Sequence, residues 1–389
     1  PASVAAQMGR TLYLVAGEPS GDTRGAELIE ALRSLRPDWR FVGLGGPKMR
    51  ELAGSGVTDW VRDAAVVGLW EVLKRYRWFK ARFEETKREI ARVGPDAVIF
   101  IDYPGFNLRL ARALRESGTD AKLIDYISPQ VWAWHRSRIP QLARWLDLML
   151  CLFPFERELF EAAGLKTVWM GHPMVDQLEA ARISTSRERD LIGFFPGSRE
   201  REVARLFPVM VETAVALHAK NPGWRFEGSA ASPELAVMMK AICQEAGGND
   251  LPLEIVTGRS QELMQRAFSG VVASGTATLE ATFYGLPYCL VYKVAWPTYL
   301  AGRMVVDLDH LGMANILAGR EIVHEFIQHE ASAPALVSFL ESVMTDERRR
   351  AELEKNLLET AAMLGERGAA KRAAEAIVDL FGSDGDDDP

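Results

Sequence analysis

The sequence predicts an α/β protein made of two consecutive doubly wound halves, and three observations support this. Short apolar runs alternate with helical patterns along most of the chain, the signature of parallel β-α-β units. The series breaks once, at the polar stretch 177–190, and then restarts. The length of 389 residues suits two domains at roughly 100–200 residues each.

Thr11–Ala16 reads as the first buried strand. It leads through the turn Gly17–Asp22 into a helix with Leu28, Ile29 and Leu32 on one face. Phe41–Leu44, Ala97–Ile101, Leu123–Ile127 and Leu148–Leu152 add four strands to the first half. Leu191–Phe195 opens the second half and passes through Pro196–Arg199 into a helix beginning near Glu200. Arg225–Gly228, Leu253–Val256, Gly270–Ala273 and Tyr288–Tyr292 continue it, and helical patterns fill 335–380. The expected organisation is a domain over 1–176 and a second over 190–334. Helices over 335–382 then cross back to the first domain or to a partner subunit, and a disordered acidic tail covers 383–389. Two Rossmann-like domains facing a cleft between them form the GT-B architecture.

Charge is divided unevenly. The net charge is −7, which argues against a nucleic-acid partner. Residues 1–175, however, carry 25 Lys and Arg against 21 Asp and Glu, leaving 21 against 32 for the remainder. Eight of the ten tryptophans lie in that basic half. The three cysteines, Cys151, Cys243 and Cys289, are far apart, so neither a disulfide framework nor a zinc knuckle is expected. The first ten residues lack the apolar core of a signal peptide. The longest apolar run, Leu148–Phe155, is far short of the ~20 residues of a spanning helix.

Common catalytic signatures are missing: no P-loop, no complete G-x-G-x-x-G after Gly43 and no G-x-S-x-G elbow. His324 and His329 miss the H-E-x-x-H spacing, and on a helix they would point about 140° apart. Asp307 and Asp309 spell D-x-D but read best as a solvated helix. No metal site and no cofactor are expected.

Four segments carry positive signals. In Phe194–Arg199 a strand ends in a Gly197-Ser198 turn before a helix; its N–H groups and Arg199 suit an anion, or the turn is an ordinary βα connection. In Gly270–Tyr292, Ser274, Gly275, Thr276 and Thr278 would let a diphosphate approach the backbone. Glu280, placed in the first turn of the following helix, would hold ribose hydroxyls or complement the helix dipole. Asp102 ends a buried strand, where open α/β sheets bind ligands, and its neighbours Tyr103, Pro104, Gly105 and Phe106 would desolvate it into a better base. The alternative is an exposed loop carboxylate. Val66–Arg92 interleaves Trp70, Leu73, Trp78 and Phe79 with eight basic residues from Lys74 to Arg92. It suits either a membrane interface or a core helix with a solvated basic face.

The ordered motifs VAGEPSGDTRGAELI, VGLGGPKM, VVGLWEVL, IDYPGFNLRLA, YISPQVWAW, FPFE, GHPMVD, FPGSR, ASGTATLE, NILAGREIV and EFIQ closely resemble the lipid-A-disaccharide synthases, family 19 of the glycosyltransferases. The match runs from about residue 11 to 330. It implies an inverting, metal-independent transfer joining UDP-2,3-diacylglucosamine to 2,3-diacylglucosamine 1-phosphate. The products are a β-1,6-linked disaccharide 1-phosphate and UDP, and the setting is the inner face of the bacterial inner membrane, with the enzyme cytoplasmic and peripheral. On matching positions Asp102 takes the role of base and Ser20 lies in the turn facing the reaction cleft. Arg199, Ser274, Thr276, Glu280 and Asn315 fall on the donor side. Gln130 matches a variable position. The resemblance leaves a homodimer open, and two lipid substrates in one cleft imply domain closure. This chain departs from the family pattern at Gly105, where many members carry a second carboxylate, and at Ala314 and His324. Its rivals are another UDP-sugar GT-B enzyme, such as a UDP-N-acetylglucosamine epimerase or a polyprenyl-linked transferase, and a non-enzymatic nucleotide-sugar-binding protein at a membrane.

Overall fold

A computed structural model describes residues 9–64, 69–248, 250–295 and 309–382, without the side chains of 63–64, 69–76 and 134. It contains two parallel sheets. The first holds β1 (Thr11–Ala16), β2 (Arg40–Gly45), β3 (Val57–Asp59), β4 (Ala97–Ile101), β5 (Lys122–Tyr126), β6 (Leu148–Cys151) and β7 (Thr167–Trp169), in the order β3-β2-β1-β4-β5-β6-β7. The second holds β8 (Glu188–Phe195), β9 (Arg225–Ala230), β10 (Leu253–Thr257), β11 (Ala267–Ala273), β12 (Tyr288–Tyr292) and β13 (Glu325–Ile327), in the order β10-β9-β8-β11-β12-β13. Residues 12–16 and the whole of β4 are buried, which is why these strands read as unbroken apolar runs rather than alternating ones.

Both sheets reverse their winding direction at one place, between β1 and β4 and between β8 and β11. At such a switch point the two flanking loops leave in opposite directions and open a crevice at the carboxyl ends of the strands. In register, Ala16 lies beside Ile101 and Phe195 beside Val272. The loops that follow these four strands carry most of the residues expected to be functional.

The chain separates into two compact units. One comprises the chain up to Pro173 together with the segment from Glu366, and the other comprises Met174–Gly365. Of the C-terminal helices, Ala333–Thr345 packs on helix Glu200–Lys220 and Glu347–Ala361 packs on helix Thr276–Phe283, both in the second unit. Only the helix Ala369–Gly382 belongs to the first, lying along helix Pro19–Leu35. There Arg10 sits 4.2 Å over the ring of Phe381, and Arg372 Nε donates to the Met170 carbonyl at 2.7 Å.

Three local expectations change. Half of the polar stretch 177–190 is regular structure: helix Met174–Ala180 enters it, β8 begins at Glu188, and 181–187 form the connection. The strand start is polar because Glu188 and Asp190 face Arg225 and Arg266 at 2.7 Å. The short strands β3, β7 and β13, three residues each, lacked any periodic signal. The His324–His329 segment is β13 followed by a single 3-10 turn (Gln328–Glu330), not an α-helix, and His324 bonds Glu321 at 2.7 Å.

Candidate functional site

The first crevice is built on strain held by one amide. After β4 the backbone adopts left-handed angles at two consecutive non-glycine residues, Asp102 (φ 50°) and Tyr103 (φ 55°). Each such residue costs of order 1–2 kcal/mol and persists only where its surroundings over-determine it. Asn107 does this. Its side-chain amide donates to the carbonyls of Val15 (3.2 Å) and Asp102 (2.5 Å), and its own N–H donates to Tyr103 O (3.1 Å). Asn107 therefore shapes the loop from beneath, 1% exposed. Helix Pro104–Glu116 starts at once with Pro104, whose missing N–H costs nothing at that position.

Aromatic rings cover this loop. Wholly buried Trp60 is 5.1 Å from Phe106 and 6.1 Å from Tyr103, and Trp78 stacks on Trp60 at 6.0 Å. Gly17 is glycine because the Tyr103 ring lies directly over it, where a Cβ would collide. Burial under these rings pushes the Asp102 carboxyl up; only the Tyr103 N–H, donating to it at 2.9 Å, pulls it down. Sequence reasoning missed two neighbours. Glu18, from the β1 turn, is raised by its own burial and then by the Asp102 charge. Asp125, buried in β5, is raised well above the usual range by desolvation and again by Asp102. Glu18 lay within a motif singled out above; Asp125 carried no signal beyond being a carboxylate inside a strand. Ser20 is exposed in the first turn of helix Pro19–Leu35.

The second crevice is a cavity of about 330 Å³. It brings together Gly197, Ser198, Arg199, Ser274, Gly275, Thr276 and Glu280, joined by Glu202, Ser229 and Ser260, which the sequence did not point to. Gly197 (φ 109°) and Gly275 (φ 142°) hold backbone angles that side chains resist. Helix Thr276–Phe283 begins directly after Gly275, so its free N–H groups point at the cavity mouth. Glu280 lies in the second turn, not the first, which removes the dipole as its reason for being there. Burial raises its pKa, while a Gln261 hydrogen bond lowers it.

Two expected donor residues do not line this cavity. Thr278 is buried, and its hydroxyl donates to Gly275 O at 2.7 Å, tightening the first helical turn. Asn315 is wholly buried and fully used. Its amide donates to Val323 O and to Glu325 at 2.8 Å each, and its oxygen accepts from the N–H groups of Ile322 and Val323. The NILAGREIV and EFIQ motifs are in this respect one brace. A second brace links FPFE to SPQVWAW: buried Glu156 accepts from Ser128, Trp132, Leu152 and Phe153. A third links the two N-terminal motifs, with Asp22 accepting from the N–H groups of Gly46, Lys48 and Met49.

Of the residues expected at a membrane interface, Trp78 and Phe79 are half-buried on helix Leu69–Val93, edge-on to each other at 4.9 Å. The side chains of Trp70 and Leu73 lie outside the described residues, as do Asp307 and the tail 383–389. No helix among the described residues is long and apolar enough to cross a membrane.

Comparison with known proteins then gives the family. Residues 12–379 match the family model described as lipid-A-disaccharide synthetase. A lipid-A-disaccharide synthase of Persephonella marina is 36% identical over 388 residues, covering 95% of this chain and 98% of that protein. Among solved structures, a UDP-N-acetylglucosamine 2-epimerase assignment from Listeria monocytogenes aligns with a TM-score of 0.61 at 14% identity, over 97% and 98% of the two chains. MurG of Acinetobacter baumannii aligns at 0.55 and 13%, over 95% and 99%. At such identities these two show the fold alone, a GT-B arrangement of two Rossmann-like halves. The family match spans nearly the whole chain, and the chain belongs to the lipid-A-disaccharide synthetase family of glycosyltransferases.

Proposed function

We propose that this chain transfers 2,3-diacylglucosamine from UDP to the 6-hydroxyl of 2,3-diacylglucosamine 1-phosphate. The acceptor oxygen attacks the anomeric carbon and its proton passes to Asp102; the bond to UDP breaks from the opposite face, and UDP leaves with the electron pair. The configuration inverts, giving the β-1,6 linkage. The observation that carries the reading is Asp102 itself, a desolvated carboxyl at a switch point, held in a strained backbone that Asn107 over-determines. A base of raised pKa accepts a proton more readily in the transition state.

The second crevice supports the leaving group. Arg199 and the N–H groups after Gly275 meet charge as it grows on the diphosphate. Glu280, half-buried in the same cavity, suits the ribose hydroxyls. Helix Leu69–Val93 exposes Arg77, Lys80 and Arg88, which suits an anionic membrane surface where acylated substrates reside.

One assay tests the reading. Diacylated UDP-glucosamine and diacylated glucosamine 1-phosphate are mixed with the protein, and the lipid product is followed by mass. A tetraacyl disaccharide 1-phosphate is expected, with no reaction of unacylated UDP-N-acetylglucosamine. Epimerisation of the unacylated sugar nucleotide, or UDP binding without turnover, would reject it.

A further inference from the structure

The anion seat of the second crevice already holds an anion belonging to the protein. Glu202 is the third residue of helix Glu200–Lys220. Its carboxylate accepts from the Arg199 guanidinium at 3.0 Å and from the Ser198 N–H at 3.3 Å. It also presses against Gly197, where a Cβ would collide with it. Gly197, Ser198, Arg199 and Glu202 line the same cavity as Gly275 and Thr276.

These are the donors assigned above to the diphosphate, so the inference rests on that assignment. A single N–H cannot serve two anions fully, and a second negative charge beside Glu202 is repelled. The side chains are placed for exchange: Arg199 is 82% exposed and Glu202 31%, so neither is locked by packing. We propose that Glu202 is the resident counter-charge of the diphosphate seat. UDP-sugar binds by displacing its carboxylate from Arg199 and Ser198 N–H, and the carboxylate returns as UDP departs. Glu202 is thus a positioning residue that keeps the seat formed when empty and limits how tightly product is held.

A Glu at the third helical position also caps a helix, so capping is the rival explanation. Glu202→Gln separates the two. Glutamine keeps an acceptor oxygen for the Ser198 N–H, preserving the cap, but removes the charge. Releasing an exposed ion pair gives roughly twofold. Lost repulsion of the diphosphate raises the expected gain to roughly three- to tenfold tighter UDP binding.

The experiment is calorimetric titration of UDP into the full chain, with stopped-flow dissociation, for wild type, Glu202→Gln and Arg199→Ala. Melting curves confirm that each variant is folded. Tighter binding with slower UDP release in Glu202→Gln is expected, and at least tenfold weaker binding in Arg199→Ala. Unchanged or weaker binding by folded Glu202→Gln, with Arg199→Ala weakened, overturns the role of Glu202 alone. If wild type fails to bind UDP, or Arg199→Ala binds as wild type does, the donor-site assignment fails and this inference with it. Should Glu202→Gln not fold, Glu202→Asp, whose shorter reach frees Arg199 but keeps the charge, carries the roughly twofold gain of the released ion pair alone; no gain there overturns the proposal.

Discussion

The two switch-point crevices share one strand order and opposite chemistry. At β1 and β4 the loops present carboxyl groups under aromatic rings, with side chains forced into left-handed backbone angles. At β8 and β11 they present small residues, glycines at positive φ, backbone N–H groups and one arginine, alongside the carboxylates of Glu202 and Glu280. Burial raises a carboxyl in both, Asp102 in the first and Glu280 in the second; only the second adds an arginine and free helix N–H groups, which favour negative charge. The sheet supplies only a place, and the loop residues decide which chemistry is proposed for it.

The sharpest way to break the comparison is to neutralise the proposed base. Asp102→Asn is expected to lower turnover by ~10²–10⁴-fold while UDP binding stays within twofold or so of wild type. Asparagine tolerates the left-handed angles at 102, so the loop should survive. Kinetics and UDP titration on the same preparation test both halves of the statement. Turnover near wild type would take the base role from Asp102.

The next effect lies at helix Leu69–Val93. Reversing Arg77, Lys80 and Arg88 to Glu removes three exposed positive charges, each worth about 1 kcal/mol near an anionic bilayer. Loss of the three positive charges alone should lower sedimentation with anionic vesicles about a hundredfold, the three new negative charges should lower it further, and added salt should mimic the effect in wild type. Trp78 is a poorer probe. It stacks on buried Trp60, so Trp78→Ser should lower the melting temperature as well as vesicle binding. Vesicle binding unaffected by the charge reversals would leave this helix a packing element.

Two glycines sharpen the comparison further. Gly275→Ala meets no atom within 4 Å, so its cost of about 1–3 kcal/mol is purely that of the backbone angle. UDP affinity should fall about tenfold, with little change elsewhere. Gly17→Ala is the reverse: the added methyl strikes the Tyr103 ring, so it should disturb the Asp102 loop and lower turnover while sparing UDP affinity. Titration and kinetics that showed both variants losing the same quantity would erase the division of labour.

Legibility in the sequence followed physical range. Long buried strands such as β4 and β12 announced themselves by apolar runs, and the β8 and β11 turns by glycine and serine beside a strand end. What could not be read was how polar side chains reach across the fold. Asn315 is expected on the donor side from its matching position in a motif, which says nothing of what the side chain touches; in the structure it holds Val323 and Glu325. Asp125 and Glu18 became relevant only once β1, β4 and β5 were neighbours. Glu280 moved by one turn because the helix starts at Thr276, a boundary set by the Gly275 angle and not by any periodicity.

The smallest expected effect is thermodynamic and sits at the same carboxyl as the largest. Burial raises the Asp102 pKa, so the folded chain holds this proton more tightly than the unfolded one. The stability it contributes is fully present below the unfolded value of about 3.9 and is lost as pH rises through the higher folded value. At neutral pH the ionised, desolvated carboxylate therefore opposes folding. Asp102→Asn should melt above wild type near pH 7 and converge with it at the acid end. The acid limb of kcat/KM for wild type should lie above the ordinary carboxylate range, because only the ionised base works. Melting curves across pH for both proteins test the sign. A lower melting temperature for Asp102→Asn at neutral pH would mean that the hydrogen bond from the Tyr103 N–H outweighs desolvation, and that the carboxylate is a brace of the strained loop more than a destabilised base.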